Sequence, residues 1–166
     1  MSNVILIGMP GAGKSTIGVV LAKVLGYHVI DSDLLIQEQE KCLLKDIIER
    51  DGLEGLIDIE EKVNCSIATD HAVIATGGSV IYGVQAMKHL REIGEVIYIR
   101  LSYETIQNRL GNIRQRGVIF REGQTLKDLY EERCPLYEKY AHFIVDGEGL
   151  GMEELMEKIA LSVKSE

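Results

Sequence analysis

Residues 8–15 read Gly-Met-Pro-Gly-Ala-Gly-Lys-Ser, and no other stretch constrains the fold as strongly. They match G-x-x-x-x-G-K-[ST], a phosphate-binding loop whose context is a strand before it and a helix after it. Glycines let such a backbone curl until its N–H groups point inward as an anion nest. The following helix aims the positive end of its dipole at the same spot. Both flanks have the required character. Asn3 to Ile7 is a short apolar run suited to a buried strand, and Thr16 to Leu25 reads as a helix ended by Gly26. Gly11, Ala12, Gly13, Lys14, Ser15 and Thr16 are therefore the expected phosphate contacts. Lys14 is expected to reach the β- and γ-phosphates, and the Ser15 hydroxyl to ligate Mg²⁺.

The same strand–helix alternation continues along the chain. Further strands are expected at His28 to Asp31, Ala72 to Ala75, Glu95 to Leu101 and His142 to Asp146. Helices are expected at Leu34 to Gln39, Leu43 to Arg50, Glu54 to Ala68, Gln85 to Ile93, from a Ser102 cap to Leu110, Thr125 to Tyr140, and Met152 to Val163. Asp33 is a candidate cap for the first of these. In Glu54 to Ala68 the apolar residues Leu56, Ile59, Val63 and Ile67 recur at helical spacing. The alternation implies one α/β domain over residues 1–166, with a parallel sheet covered on both faces. Ligands of such sheets lie beyond the carboxyl ends of the strands. The phosphate loop, Asp31 with Asp33, and Gly77 with Gly78 all fall at those ends. Gly111 to Gly123 holds three arginines, three glycines and no period, and reads as a mobile loop.

The net charge of −8 argues against a nucleic-acid backbone as the main partner. It leaves ATP open, because the loop holds phosphate with backbone dipoles, one lysine and a metal. Cys42, Cys65 and Cys134 form no C-x-x-C pair, which suggests reduced thiols in a cytoplasmic protein. The chain starts directly into its first strand, so no signal peptide is expected, and no apolar run approaches a membrane span.

Taken in order, these elements resemble the shikimate kinase family of small P-loop kinases. The resemblance rests on Gly8 to Ser15, Asp31 and Asp33, Thr76-Gly77-Gly78-Ser79, Arg109 with Arg116, and Arg133-Cys134-Pro135-Leu136-Tyr137. It implies a three-layer α/β/α fold with a five-stranded parallel sheet, a mobile lid at about 111–124 and acceptor-binding helices at about 33–68. It implies transfer of the ATP γ-phosphate to a hydroxyl of shikimate, in aromatic amino-acid biosynthesis, by a cytoplasmic monomer that uses Mg²⁺. Asp31 matches the residue that holds Mg²⁺, and Asp33 the residue that binds the acceptor hydroxyls and orients the nucleophile. Arg116 matches the lid arginine that closes over the γ-phosphate, Arg109 a residue lying against the adenine, and Arg133 a ligand of the substrate carboxylate. Lys14, Asp33 and Arg116 are then the catalytic set, and Asp33, Gly77, Gly78 and Arg133 the acceptor contacts.

Three departures stand out, two of them in the acceptor half. The family has an arginine in the helix before the third strand, where this chain has Ile57 after Leu56. The family's three-glycine turn ends here in Ser79, and its lid motif reads Arg116-Gly117-Val118-Ile119. Losing one charged partner is worth on the order of 1.5–3 kcal/mol. The alternatives are the same phosphotransfer to another hydroxylated metabolite, such as a hydroxy amino acid or a polyol, or a nucleotide-binding regulator without turnover. Arg50, Lys62 or Arg121 are candidates to replace the missing charge.

Overall fold

The structure, a computed structural model, describes residues 3–111 and 123–164. Five strands, β1 (Asn3–Ile7), β2 (His28–Asp31), β3 (Ala72–Ala75), β4 (Gly94–Arg100) and β5 (Phe143–Asp146), form one parallel sheet in the order β2-β3-β1-β4-β5. Between them run α1 (Lys14–Leu25), α2 (Ser32–Glu40), α3 (Leu44–Cys65), α4 (Val84–Ile93), α5 (Tyr103–Leu110), α6 (Leu126–Tyr140) and α7 (Met152–Lys164). The central strands β1 and β3 are buried along their whole length, as continuous apolar runs between two helical layers must be. The α/β expectation therefore holds.

Register brings the functional loops to one level. Leu6 of β1 stands opposite Ala75 of β3, and Asp31 of β2 opposite the same Ala75. The phosphate loop, the start of α2 and the turn after β3 thus leave the sheet side by side. After β3 the chain passes to the other side of β1, so the loop after β1 lies where the winding reverses. That is the crevice in which such sheets hold ligands.

One local expectation changes. Asp33 is not the cap of α2. Asp31 is, its carboxylate accepting from the N–H groups of Asp33 at 3.0 Å and Leu34 at 3.3 Å. The two helices expected over 43–68 are both present: they follow one another as α3 and break at Gly52, whose non-helical φ of 75° suits glycine. A small second core of Ile36, Ile47, Leu56 and Val63 ties α2 to α3. These two helices therefore pack as a unit beside the main core, over the interval expected to hold the acceptor. Helix α6 begins at a capping box formed by Thr125 and Asp128.

Candidate active site

The phosphate loop earns its shape from three glycines. Gly8, Gly11 and Gly13 have φ of 152°, 85° and 90°, and a Cβ on Gly8 would stand 2.9 Å from the Ile99 carbonyl oxygen. Gly13 is the left-handed N-cap of α1, which leaves the first N–H groups of that helix without a side-chain cap. Those groups are the anion-binding end of the helix. Lys14 is buried, and its ammonium donates to the carbonyls of Gly8 at 2.6 Å and Met9 at 3.0 Å. Burial lowers its pKa to about 8.

A cavity of about 280 Å³ opens from this loop. Gly11, Gly13, Lys14, Ser15 and Thr16 line it on one side, and Asp33, Gly77, Gly78 and Arg133 on the other. Nine residues expected from the sequence are thus brought to one cavity. Ala12 is buried beneath the loop and does not line it. Asp31 stands just outside, where the Ser15 hydroxyl donates to its Oδ2 at 2.7 Å. Arg109 lies across the outside of the loop and donates to the Gly11 carbonyl at 3.2 Å. Arg116 lies outside the described residues, as does most of the expected lid.

The acceptor wall is built from buried polar groups. Arg133 is 2% exposed, so it is no surface partner of the neighbouring glutamates. Its guanidinium sits 5.4 Å from the Tyr82 ring centroid, and its Nε donates to the Tyr82 hydroxyl at 3.4 Å. Tyr82 in turn donates to Glu132. The Tyr137 hydroxyl donates to the Gly78 carbonyl at 2.5 Å and fixes the turn after β3. A Cβ on Gly78 would come within 2.8 Å of Pro10 Cδ and 3.0 Å of Arg133 Nη1. The two loops therefore close on each other only because this residue has no side chain. Asp33, freed from capping, has its carboxyl pKa raised by burial and by Asp31, against the pull of Lys14.

Sequence reasoning missed Glu60. It is 4% exposed and lines the cavity between Leu56 and Ser79. The Ser79 hydroxyl donates to its carboxylate, 2.7 Å from Oε1 and 3.0 Å from Oε2. The signal was present: Glu60 lies four residues after Leu56 and three before Val63, on the apolar face of α3. Ile57 is half-buried and does not line the cavity. Arg50 pairs with Glu40 at 2.6 Å and Asp51 at 2.7 Å on the surface, and Lys62 is exposed. Neither supplies the missing charge. Arg121 lies outside the described residues. Among the described residues, the cavity's cations are Lys14 and Arg133.

The chemistry of this arrangement is that of a phosphoryl transfer site. An anion nest and a lysine face one end, a hydroxyl–carboxylate pair suited to a hard cation stands beside them, and a buried carboxylate and guanidinium face the other end. Residues 10–164 match the family model for shikimate kinase. A shikimate kinase of Thermodesulfovibrio yellowstonii is 36% identical over 162 residues, covering 96% of this chain and 93% of that protein. The structure of a shikimate kinase from Acinetobacter baumannii in complex with shikimate superposes with a TM-score of 0.90 at 30% identity, over 99% of this chain and 94% of that one. Shikimate kinase from Aquifex aeolicus superposes at 0.85 and 28% identity, over 98% of this chain and 96% of that one.

Proposed function

This chain belongs to the shikimate kinase family, ATP-dependent enzymes, and from that premise we propose how its residues carry the transfer of the γ-phosphate to a hydroxyl of shikimate. The observation that carries the proposal is the convergence of Lys14, Asp33 and Arg133 on one cavity beside the Ser15–Asp31 pair.

The N–H groups from Gly11 to Thr16 and the Lys14 ammonium hold the phosphates of ATP. Ser15 and Asp31 hold Mg²⁺, a fit supported by a hydroxyl and a carboxylate already 2.7 Å apart and by the few protein ligands this ion takes. An ion held there would supply positive charge to offset that of the transferring phosphoryl group. Asp33 receives the acceptor hydroxyl and orients it, taking up its proton as the new bond forms. Gly77 and Gly78 give the acceptor a surface without side chains, and Arg133 binds its carboxylate with a planar fork. Arg109 flanks the nucleotide side and Arg116 closes over the γ-phosphate. The protein works as a monomer and in the cytoplasm, the latter consistent with its three free cysteines. Among the described residues no helix is long and apolar enough to cross a membrane.

A coupled assay of ADP release with shikimate tests this reading. The expected result is saturable turnover that depends on shikimate and is abolished by Lys14→Ala. Activity surviving that change places the phosphate site elsewhere. Because Arg133 is the sole arginine among the described lining residues, a panel of other hydroxy acids and polyols belongs in the same assay. Turnover confined to a panel member moves the acceptor from shikimate to that compound.

A further inference from the structure

The acceptor wall carries a buried acid, Glu60, that the mechanism above does not use. Its carboxyl and that of Asp33 converge over Gly77: a Cβ there would stand 2.7 Å from Asp33 Oδ1 and 2.9 Å from Glu60 Oε2. One residue on, the corresponding point at Gly78 lies 3.0 Å from Arg133 Nη1. Glu60 and Arg133 are therefore neighbours across a Gly-Gly step on the same wall. Yet no lysine, arginine or histidine among the described residues forms an ion pair with Glu60. Its one hydrogen-bond donor is neutral, the hydroxyl of Ser79. An acceptor carboxylate docked on Arg133 meets that acid. If ionised, Glu60 repels it, whereas a neutral carboxyl group donates to it.

Resting on the reading that Arg133 binds the acceptor's carboxylate, we infer that Glu60 is a specificity residue acting as a neutral acid, donating a hydrogen bond to that carboxylate from the edge that faces Gly77. The two acceptor-side departures, Ile57 and Ser79, then form one device. Ile57 offers no guanidinium from its place on α3 to hold Glu60 ionised, and Ser79 secures the carboxyl's orientation with a neutral group instead. The groups around Glu60 agree. Burial pushes its pKa up to about 7, with Asp33 of α2 adding to the rise, and Ser79, Arg133 of α6 and Lys14 of α1 opposing it. The neutral form is thus available near neutral pH, and a bound anion draws a further proton onto it.

The experiment follows the KM for shikimate at saturating ATP from pH 6.5 to 8.5, in the wild type and in Glu60→Gln. Glutamine keeps the shape and a donor but does not titrate. In the wild type KM should rise roughly tenfold or more across this interval. In Glu60→Gln it should stay within about twofold of the wild-type value at low pH. Lys14 also titrates in this range, but it is present in both proteins, so the difference between their profiles belongs to Glu60. Calorimetry of shikimate binding at pH 7.5, in two buffers of different ionisation enthalpy, should show proton uptake by the wild type and none by Glu60→Gln. Ser79→Ala supplies an independent arm: without that donor to the carboxylate, the rise in KM should move to higher pH. Parallel profiles in wild type and Glu60→Gln, absence of proton uptake in the wild type, or an unmoved profile in Ser79→Ala overturns the inference. Turnover of shikimate with a KM flat in pH overturns it alone. No turnover of shikimate at any pH overturns the acceptor reading and this inference with it.

Discussion

The carboxylate of Asp31 accepts the backbone N–H of Asp33 at 3.0 Å, so the first aspartate holds the helix and leaves the second free to face the cavity. Oδ1 of Asp31 does the capping while Oδ2 accepts from Ser15. One side chain thus couples the start of α2 to the phosphate loop.

That division of labour separates two variants of Asp31. Asparagine caps as well as aspartate, whereas alanine loses about 1 kcal/mol. Asp31→Asn should therefore melt within a degree or two of the wild type, and Asp31→Ala roughly 2–4 °C lower. Both should need more magnesium for half-maximal turnover. Melting curves together with a magnesium titration of the rate check this. A normal magnesium requirement in Asp31→Asn would remove Asp31 from the metal site.

Gly77 faces the two acids of the acceptor wall. Its substitution by alanine puts a methyl group 2.7 Å from Asp33 Oδ1 and 2.9 Å from Glu60 Oε2. Glu60 is buried and held by Ser79, Asp33 is half-buried, and both oxygens must move. Gly77→Ala should raise the KM for shikimate at least about tenfold, a loss near 1.4 kcal/mol. The nucleotide wall is untouched, so the KM for ATP should change less than about twofold. Steady-state kinetics with each substrate varied in turn decides the point.

Glu60 also leaves a mark on stability. Its folded pKa, up to about 7, lies above the ordinary glutamate value of 4.5 because burial penalises the charge. A group raised in this way contributes stability that is full below its unfolded pKa and is lost as pH rises through the folded one. The wild type should therefore melt progressively lower from pH 4.5 to 7.5. Glu60→Gln removes this component, so its melting temperature should fall less over the same interval and exceed that of the wild type at pH 7.5. Thermal melts across that range measure it. Asp33 titrates in the same direction in both proteins, so it does not account for the difference.

Much of this site was legible in the chain itself, and the failures have physical causes. The loop from Gly8 to Ser15 is specified by backbone requirements that few residues meet, and its flanking periods agreed with it. Strand ends placed Asp31, Asp33, Gly77 and Gly78 on one edge without any knowledge of register. The cap was misassigned because two aspartates stand two residues apart at a helix start, and either satisfies the local preference. Only the folded geometry decides between them, with Asp31 accepting the helix N–H groups and Asp33 turned to the cavity. Arg133 and Glu60 are charged residues on helices, a type whose usual place is the surface. Their burial depends on partners distant in sequence, Tyr82 for one and Ser79 for the other. The break expected before Glu54 is real: Gly52 leaves helical geometry and separates two helices.

Ile57 stands one helical turn before Glu60, at a spacing where side chains on α3 meet. An arginine introduced there reaches Glu60, pairs with it as a carboxylate and presents a second guanidinium to the acceptor beside Arg133. Charged hydrogen bonds of this kind are worth about 1.5–3 kcal/mol. Ile57→Arg should therefore lower the KM for shikimate at pH 8 by about tenfold or more. The rate at saturation should stay within about twofold, since Asp33 and the phosphate loop are unchanged. The dependence of KM on pH should fade, because Glu60 paired with arginine stays ionised throughout. Combining Ile57→Arg with Glu60→Gln should yield less than the sum of the separate gains, as expected of two residues that touch. The four proteins of this cycle, assayed at pH 6.5 and 8, give both the coupling and its sign. A KM unaltered by Ile57→Arg would mean that position 57 does not face the acceptor wall, and that Arg133 binds the acceptor's carboxylate without help from α3.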